Sequence, residues 1–152
     1  LLSEIEEYEH LIIVRTFTKI FTIPGVRLGY LVCKNNAVHT KIARQLPEWN
    51  LSCFAQEAGC ICAKQAEFIE KTKIYIEEER QFMEKELMQI GLRTFPSVSN
   101  FITIYSDKPL YEKLLKKGIL IRDCSNFRGL GKGFYRIAVK SRKENKILLE
   151  NL

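Results

Sequence analysis

Apolar residues along the chain alternate between two spacings. Short strand-length runs occur at Leu11 to Thr16, Arg27 to Cys33, Asn100 to Tyr105, Ile119 to Arg122 and Phe134 to Lys140. The first, Leu11-Ile12-Ile13-Val14 and its continuation, is apolar and β-branched and reads as a buried strand. Between these runs the spacing is helical. Ser3 to Glu9 is acidic and amphipathic, a helix end or a linker. Pro24-Gly25 is a turn pair that stops any helix begun at Ile20. Asn35 and Asn36 cap a helix through Leu46, which Pro47 ends, and Ser52 opens an apolar helix to Ala63. From Phe68 to Ile90 apolar pairs return every seven positions, at Phe68/Ile69, Tyr75/Ile76, Phe82/Met83 and Ile90. This predicts a long amphipathic helix with a solvated Glu/Lys face, closed by Gly91. Three repeats of such a mixed aromatic seam predict packing against a domain core, with a coiled-coil dimer as the lesser alternative. Lys108 to Lys117 reads as a short helix ended by Gly118, and Arg142 to Leu152 as a last helix. Strands alternating with helices predict an α/β fold, with a boundary between the first strand pair and the long helix.

Composition narrows the class. A chain of 152 residues that is 46% hydrophobic and 28% charged has enough apolar side chains for one sizeable core, or a small domain and part of another. No apolar run approaches the roughly 20 residues of a membrane span, and no charged-then-apolar leader is visible, so a cytoplasmic location is expected. The chain starts with Leu1-Leu2 rather than Met, which suggests a piece of something longer. Five cysteines without a CxxC pair, and two histidines (His10, His39) away from ligand spacing, predict reduced core thiols and no metal site. The formal charge of +6 is a mild excess, interleaved with acids. It keeps one minor alternative open, a basic-face nucleic-acid binder whose affinity falls steeply with salt.

Chemistry concentrates in Arg15-Thr16-Phe17-Thr18-Lys19-Ile20-Phe21-Thr22-Ile23-Pro24-Gly25-Val26-Arg27-Leu28-Gly29-Tyr30. A lysine stands just beyond a strand, preceded by two hydroxyls and followed, after a Pro-Gly turn, by an arginine. A guanidinium fork donates two parallel charge-assisted hydrogen bonds to a phosphate dianion. A partly desolvated lysine beside another cation is a competent nucleophile toward an aldehyde. Pyridoxal 5'-phosphate carries both an aldehyde and a phosphate. On residue chemistry alone, however, one Lys–Arg spacing among 24 basic residues fits an ordinary solvated surface as well.

A second segment is Gly118 to Phe127 followed by Phe134 to Lys140. Period-two alternation puts Tyr135, Ile137 and Val139 on one face and Arg136 on the other, while Ile119 and Ile121 oppose Leu120 and Arg122. Both arginines leave the apolar face, either as solvated charges or as forks for a substrate bearing a carboxylate and a phosphate. Gly129-Leu130-Gly131-Lys132-Gly133 lacks the strand–Gly-x4-Gly-Lys-Ser/Thr–helix context of a phosphate loop and reads as a flexible connector. The Arg142 to Lys146 cluster reads as a solvated first helical turn.

The stretch Arg15 to Tyr30 resembles the lysine signature of fold-type-I pyridoxal-phosphate enzymes of aminotransferase class I/II, matching at Thr16, Thr18, Lys19, Gly25, Arg27, Gly29 and Tyr30. The resemblance implies that Lys19 condenses with the cofactor aldehyde, that Thr16, Thr18 and Arg27 hold its phosphate, and that Gly25 and Gly29 permit close turns. Gly-Ile-Leu-Ile-Arg-x-Cys-x-Asn-Phe and Tyr-x-Arg-x-Ala are similar to the branch of threonine-phosphate decarboxylases and histidinol-phosphate aminotransferases. Pro47 to Ser52 resembles that branch's Pro-Trp linker, with one residue inserted and Ser where Asn is usual. By this resemblance Arg136 grips the substrate carboxylate and Arg122 assists at the anionic end. The implied fold is the C-terminal portion of such an enzyme: the edge of the large-domain sheet (1–66), then the long connecting helix and a small, mainly antiparallel α/β domain (67–152).

The implied activity is decarboxylation of O-phospho-L-threonine in cobalamin biosynthesis. Transamination of histidinol phosphate or a related amino acid is the alternative, and a non-catalytic binding fragment is an alternative of another class. The implied partners are a small phosphorylated amino acid and a second subunit in a homodimer, without nucleic acid or membrane. The family's upstream phosphate loop, its ring-stacking aromatic and the Asn, Asp and Tyr that hold the pyridine have no counterpart here, so the isolated chain is expected to bind the cofactor weakly and not to turn over.

Overall fold

A computed structural model describes residues 2–152; Leu1, where the expected first domain begins, lies outside the described residues. The chain divides into two compact units, Leu1–Ile69 and Glu70–Leu152.

In the first unit a 3-10 turn, Leu2–Glu6, precedes an antiparallel hairpin. Its strands are β1 (Ile12–Thr16) and β2 (Gly29–Cys33), in register from Ile12 opposite Cys33 to Thr16 opposite Gly29. Helix α1 (Asn36–Ala43) starts where expected because the Asn35 side-chain oxygen accepts the amides of Ala37 and Val38 at 2.9 and 3.1 Å. It ends before Leu46. There Gln45 and Leu46 turn their amides to the carbonyls three residues back, which tightens the chain ahead of Pro47. Helix α2 (Cys53–Ala63) is capped by Ser52, whose Oγ accepts the Ala55 amide at 3.1 Å. The core is small, built from Ile5, Ile13, Leu28, Ala55 and Cys62. β1 is not the buried strand its apolar run predicts: Ile13 is buried, but Val14 is 75% exposed. Alternation puts Ile12 and Val14 on the opposite face from Ile13, and a two-stranded sheet covered on one side leaves that face open.

Helix α3 (Ala66–Gln89) spans the expected long helix. It closes as a Schellman-type cap, with Gly91 at φ +78° and the Leu92 amide on the Leu87 carbonyl at 3.0 Å. The second unit is a four-stranded antiparallel sheet in the order β3 (Arg93–Phe95), β4 (Phe101–Tyr105), β6 (Phe134–Ala138), β5 (Arg122–Asp123). One face carries Ile102, Ile104, Tyr135 and Ile137. These pack in one core with Met83 and Leu87 of α3, Leu110 and Leu114 of α4 (Leu110–Leu115) and Leu148 of α5 (Arg142–Asn151). The seven-residue seam of α3 is therefore core-forming at Met83, while Phe68 and Tyr75 stay 46% and 44% exposed. A buried carboxylate ties α3 to α5: Glu79 accepts the Arg142 Nε at 2.9 Å and the Asn145 amide at 2.8 Å.

Two strand expectations change. Ile119 to Arg122 pairs only from Arg122 onward, because the Ile119 amide is spent on the Leu114 carbonyl that ends α4. β3, three residues long, is too short to leave a period in the sequence. The loop before β6 is not a slack connector at its end. Gly133 sits at φ +90°, its carbonyl accepts the Ser106 amide at 2.9 Å, and a Cβ there would lie 2.8 Å from the Ser106 oxygen. None of the described helices is long and apolar enough to cross a membrane.

Candidate active site

The twelve residues joining β1 to β2 hold the lysine segment. Thr16 closes the hairpin: its hydroxyl donates to the Leu28 carbonyl at 3.0 Å and accepts the Thr18 amide at 3.2 Å. With Thr16's proton spent on Leu28, the 2.9 Å contact between the two hydroxyls runs from Thr18 to Thr16. Thr18 is buried, and Phe17 stacks on Phe21 and tilts against Tyr30. The connection passes through two left-handed non-glycine residues, Thr22 and Arg27, each at φ 55°, on either side of a single 3-10 turn at Pro24–Val26. A β-branched residue at positive φ is strained, and such strain collects at functional sites.

Lys19 and Arg27 both lie exposed on this connection. The structure thus joins Thr16 to Thr18 but, among the described residues, makes no hydrogen bond from either cation to that pair. Arg27 reaches the Pro24 carbonyl at 3.2 Å through one nitrogen and keeps its other donors free. The partial desolvation expected for Lys19 is not supplied here, since the described side chains leave it exposed. Of the two glycines expected to allow close turns, Gly29 does: a Cβ would meet the Arg15 carbonyl oxygen at 2.8 Å. Gly25 does not, having nothing within 4 Å and an ordinary φ; Arg27 adopts the left-handed conformation instead. The donor set nonetheless fits a pyridoxal phosphate. It offers one amine for the aldehyde and a guanidinium with free donors for the dianion, while the Thr18 hydroxyl reaches a phosphate only by turning its proton away from Thr16. No Asp or Glu occurs anywhere from Leu11 to Pro47 to compete for either.

In the second unit, Arg122 and Arg136 are direct register partners across β5 and β6. The helix-free face of the sheet carries them together, with one row running Phe95, Thr103, Arg136, Arg122 across all four strands. Like charges directly opposite destabilise a sheet. Among the described residues neither arginine has an ion pair, and no acid occurs from Cys124 to Lys143. Each guanidinium is instead steadied on an aromatic face: Arg136 lies 4.6 Å from the Phe101 centroid, and Arg122 lies 5.2 Å from that of Phe127 while donating to the Asn126 Oδ1 at 3.2 Å. Asp123 makes no ion pair with either arginine; it accepts the Ser125 amide at 2.8 Å, and that hydrogen bond, with a smaller effect of Arg122, holds its carboxyl below the usual range. Burial beneath the pair pushes the Cys124 thiol up, against the lowering effect of both arginines, so it stays protonated.

Sequence patterning missed Arg93, which sits on the same open face over Phe95 at 4.9 Å. It also missed the bracing of Arg122 by Asn126 and Phe127. The first needed β3 and the second needed a loop conformation, and neither leaves a periodic signal.

A strained lysine-bearing hairpin connection and a small antiparallel sheet with a bare arginine pair are the parts that known proteins bring into focus. The chain belongs to the aminotransferase class I and II family, whose model matches residues 1–152. It is similar to a candidate threonine-phosphate decarboxylase from Caldanaerobacter subterraneus subsp. tengcongensis, 40% identical over 97% of this chain and 41% of the relative. It is similar also to the threonine-phosphate decarboxylase of Salmonella typhimurium, 32% identical over 97% of this chain and 42% of the relative. The crystal structure of the histidinol-phosphate aminotransferase from Clostridium acetobutylicum matches with a TM-score of 0.95 and 37% identity, covering 100% of this chain and 47% of that one. The fold is accordingly α/β and corresponds to the C-terminal portion of fold-type-I pyridoxal-phosphate enzymes. The chain spans about two fifths of the length of the curated relatives it matches.

Proposed function

We propose that this chain is the C-terminal part of a pyridoxal-phosphate enzyme that decarboxylates O-phospho-L-threonine in cobalamin biosynthesis. In this reading residues 1–66 belong to the large cofactor-binding domain, and residues 67–152 form the connecting helix and the small domain. The intact protein is a cytoplasmic homodimer. The cofactor, when bound, supplies an aldehyde that captures the substrate amine and a ring that accepts the electron pair of a broken Cα bond.

The chain's own residues do the rest. Lys19 presents the amine that anchors the aldehyde, gives way to substrate, and moves a proton at the substrate Cα. Arg27, Thr16 and Thr18 would hold the phosphate, Thr18 by turning its hydroxyl proton from Thr16 to the dianion. Arg136 would take the substrate carboxylate and Arg122 its other anionic end, and together they would orient the substrate so that one Cα bond is the one broken, a matter of about 1 Å in side-chain placement. The observation that carries the substrate class is the facing of Arg122 and Arg136 with no ion pair to either among the described residues, which leaves both forks open to an anion.

The substrate itself rests on the 40% identity to a candidate threonine-phosphate decarboxylase. One finding favours the second reading, transamination of histidinol phosphate: the TM-score of 0.95 to an aminotransferase of that name. Incubating the intact enzyme with carboxyl-labelled O-phospho-L-threonine separates them. Release of labelled carbon dioxide with an aminopropanol phosphate left behind supports the decarboxylase. Amino transfer from histidinol phosphate to a 2-oxo acid, without carbon dioxide from phosphothreonine, supports the aminotransferase.

A further inference from the structure

The row that crosses the open sheet face contains one more group able to touch an anion. Thr103 faces Arg136 directly across β4 and β6, as Arg122 faces it from β5. Facing residues in an antiparallel pair share a side of the sheet, with Cβ atoms about 5 Å apart. Thr103 therefore stands on the helix-free side; its neighbours Ile102 and Ile104 are fully buried on the other. It is half-buried, and among the described residues its hydroxyl makes no hydrogen bond. β6 places Arg136 at the centre of the row, between a second guanidinium on one side and this idle hydroxyl on the other. The row ends in Phe95, whose ring leans against Phe134 at 5.6 Å and offers no polar atom. The residues that bear these donors thus form one register row, Thr103–Arg136–Arg122, closed by an aromatic at the β3 side, with the Arg136 fork resting over Phe101 on the same face.

We propose that Thr103 is a substrate-binding residue, donating its hydroxyl hydrogen bond to the same anionic group that Arg136 grips. This rests on the assignment of Arg136 to a substrate anion. A neutral donor beside a fork adds directionality without adding a third positive charge to a pair that already repels. It lets the site distinguish how the anion is rotated about the guanidinium.

The test uses the intact enzyme with O-phospho-L-threonine and compares KM and kcat for wild type, Thr103→Val, Thr103→Ser and Arg136→Gln. Valine keeps the β-branched shape that suits the strand and deletes only the hydroxyl. The expected result is a KM raised about tenfold in Thr103→Val, with kcat changed less than about threefold, restored toward wild type in Thr103→Ser, and a larger rise in Arg136→Gln. A wild-type KM in Thr103→Val together with a raised KM in Arg136→Gln overturns the role of Thr103 and leaves the arginine assignment standing. Wild-type KM in both overturns the arginine assignment itself. Melting of Thr103→Val within about 2 °C of wild type shows that any KM change is not a folding defect.

Discussion

Arg122 and Arg136 oppose each other across two strands with no carboxylate between them. The repulsion within the pair is offset by the aromatic contacts of its two guanidinium groups. Arg136→Gln gives up a contact with the Phe101 ring, worth about 0.5–1 kcal/mol, and relieves a repulsion of about 0.2–1 kcal/mol. The expected stability change is near zero, whereas the KM of the intact enzyme for a phosphorylated amino acid rises at least tenfold. Chemical denaturation alongside steady-state kinetics checks both. A destabilised variant with normal KM marks Arg136 as structural.

The glycines divide by what a methyl group meets. Gly133→Ala forces a Cβ to 2.8 Å from the Ser106 carbonyl at a φ of +90°, and Gly29→Ala forces one to 2.8 Å from the Arg15 carbonyl. Each is expected to cost about 2 kcal/mol or more. Gly25→Ala meets nothing within 4 Å and is expected to be neutral or to stabilise by up to about 1 kcal/mol. Urea midpoints of the three variants give the order.

Glu79 is 5% exposed and its partner Arg142 is 49% exposed. Arg142→Met strands a carboxylate in the interior with only the Asn145 amide to hold it, at an expected cost of about 2–3 kcal/mol. Adding Glu79→Gln removes the stranded charge and recovers much of that loss. A double-mutant cycle by denaturant titration measures the coupling; strict additivity would mean the pair contributes nothing.

Acid should loosen the last helix first at its start. Glu144 completes a capping box with Ser141, and its carboxyl is lowered to about 2 by hydrogen bonds from Lys140 and Ser141. A carboxyl whose folded pKa lies below its unfolded 4.5 stabilises the fold above that value. The contribution fades as pH drops from 4.5 toward 2. Amide exchange at Glu144 and Asn145 is expected to accelerate over that window in wild type, with no such step in Glu144→Gln.

The elements legible in the sequence were those fixed by local rules. The side-chain caps at Asn35 and Ser52, the glycine stop at Gly91 and the alternation that separates Arg136 from Tyr135 all act within a few residues. What stayed hidden depends on distant partners. Val14 has the composition of a core residue, but burial needs a covering element that the first unit lacks. Ile119 looks like a strand until its amide is claimed by Leu114. That Arg122 and Arg136 share one row depends on register across a ten-residue loop, which alternation within either strand cannot supply. The lysine segment was legible because its chemistry is packed into sixteen consecutive residues, Arg15 to Tyr30.

That segment carries the central claim, and one covalent measurement addresses it. The intact protein is loaded with pyridoxal phosphate, reduced with borohydride, digested and sequenced by mass spectrometry. The account predicts a pyridoxyl group on Lys19, absent in a Lys19→Ala variant whose stability stays within about 0.5 kcal/mol of wild type because the side chain is exposed. A pyridoxyl group on another lysine of the intact protein, or an undiminished yield in Lys19→Ala, would contradict it.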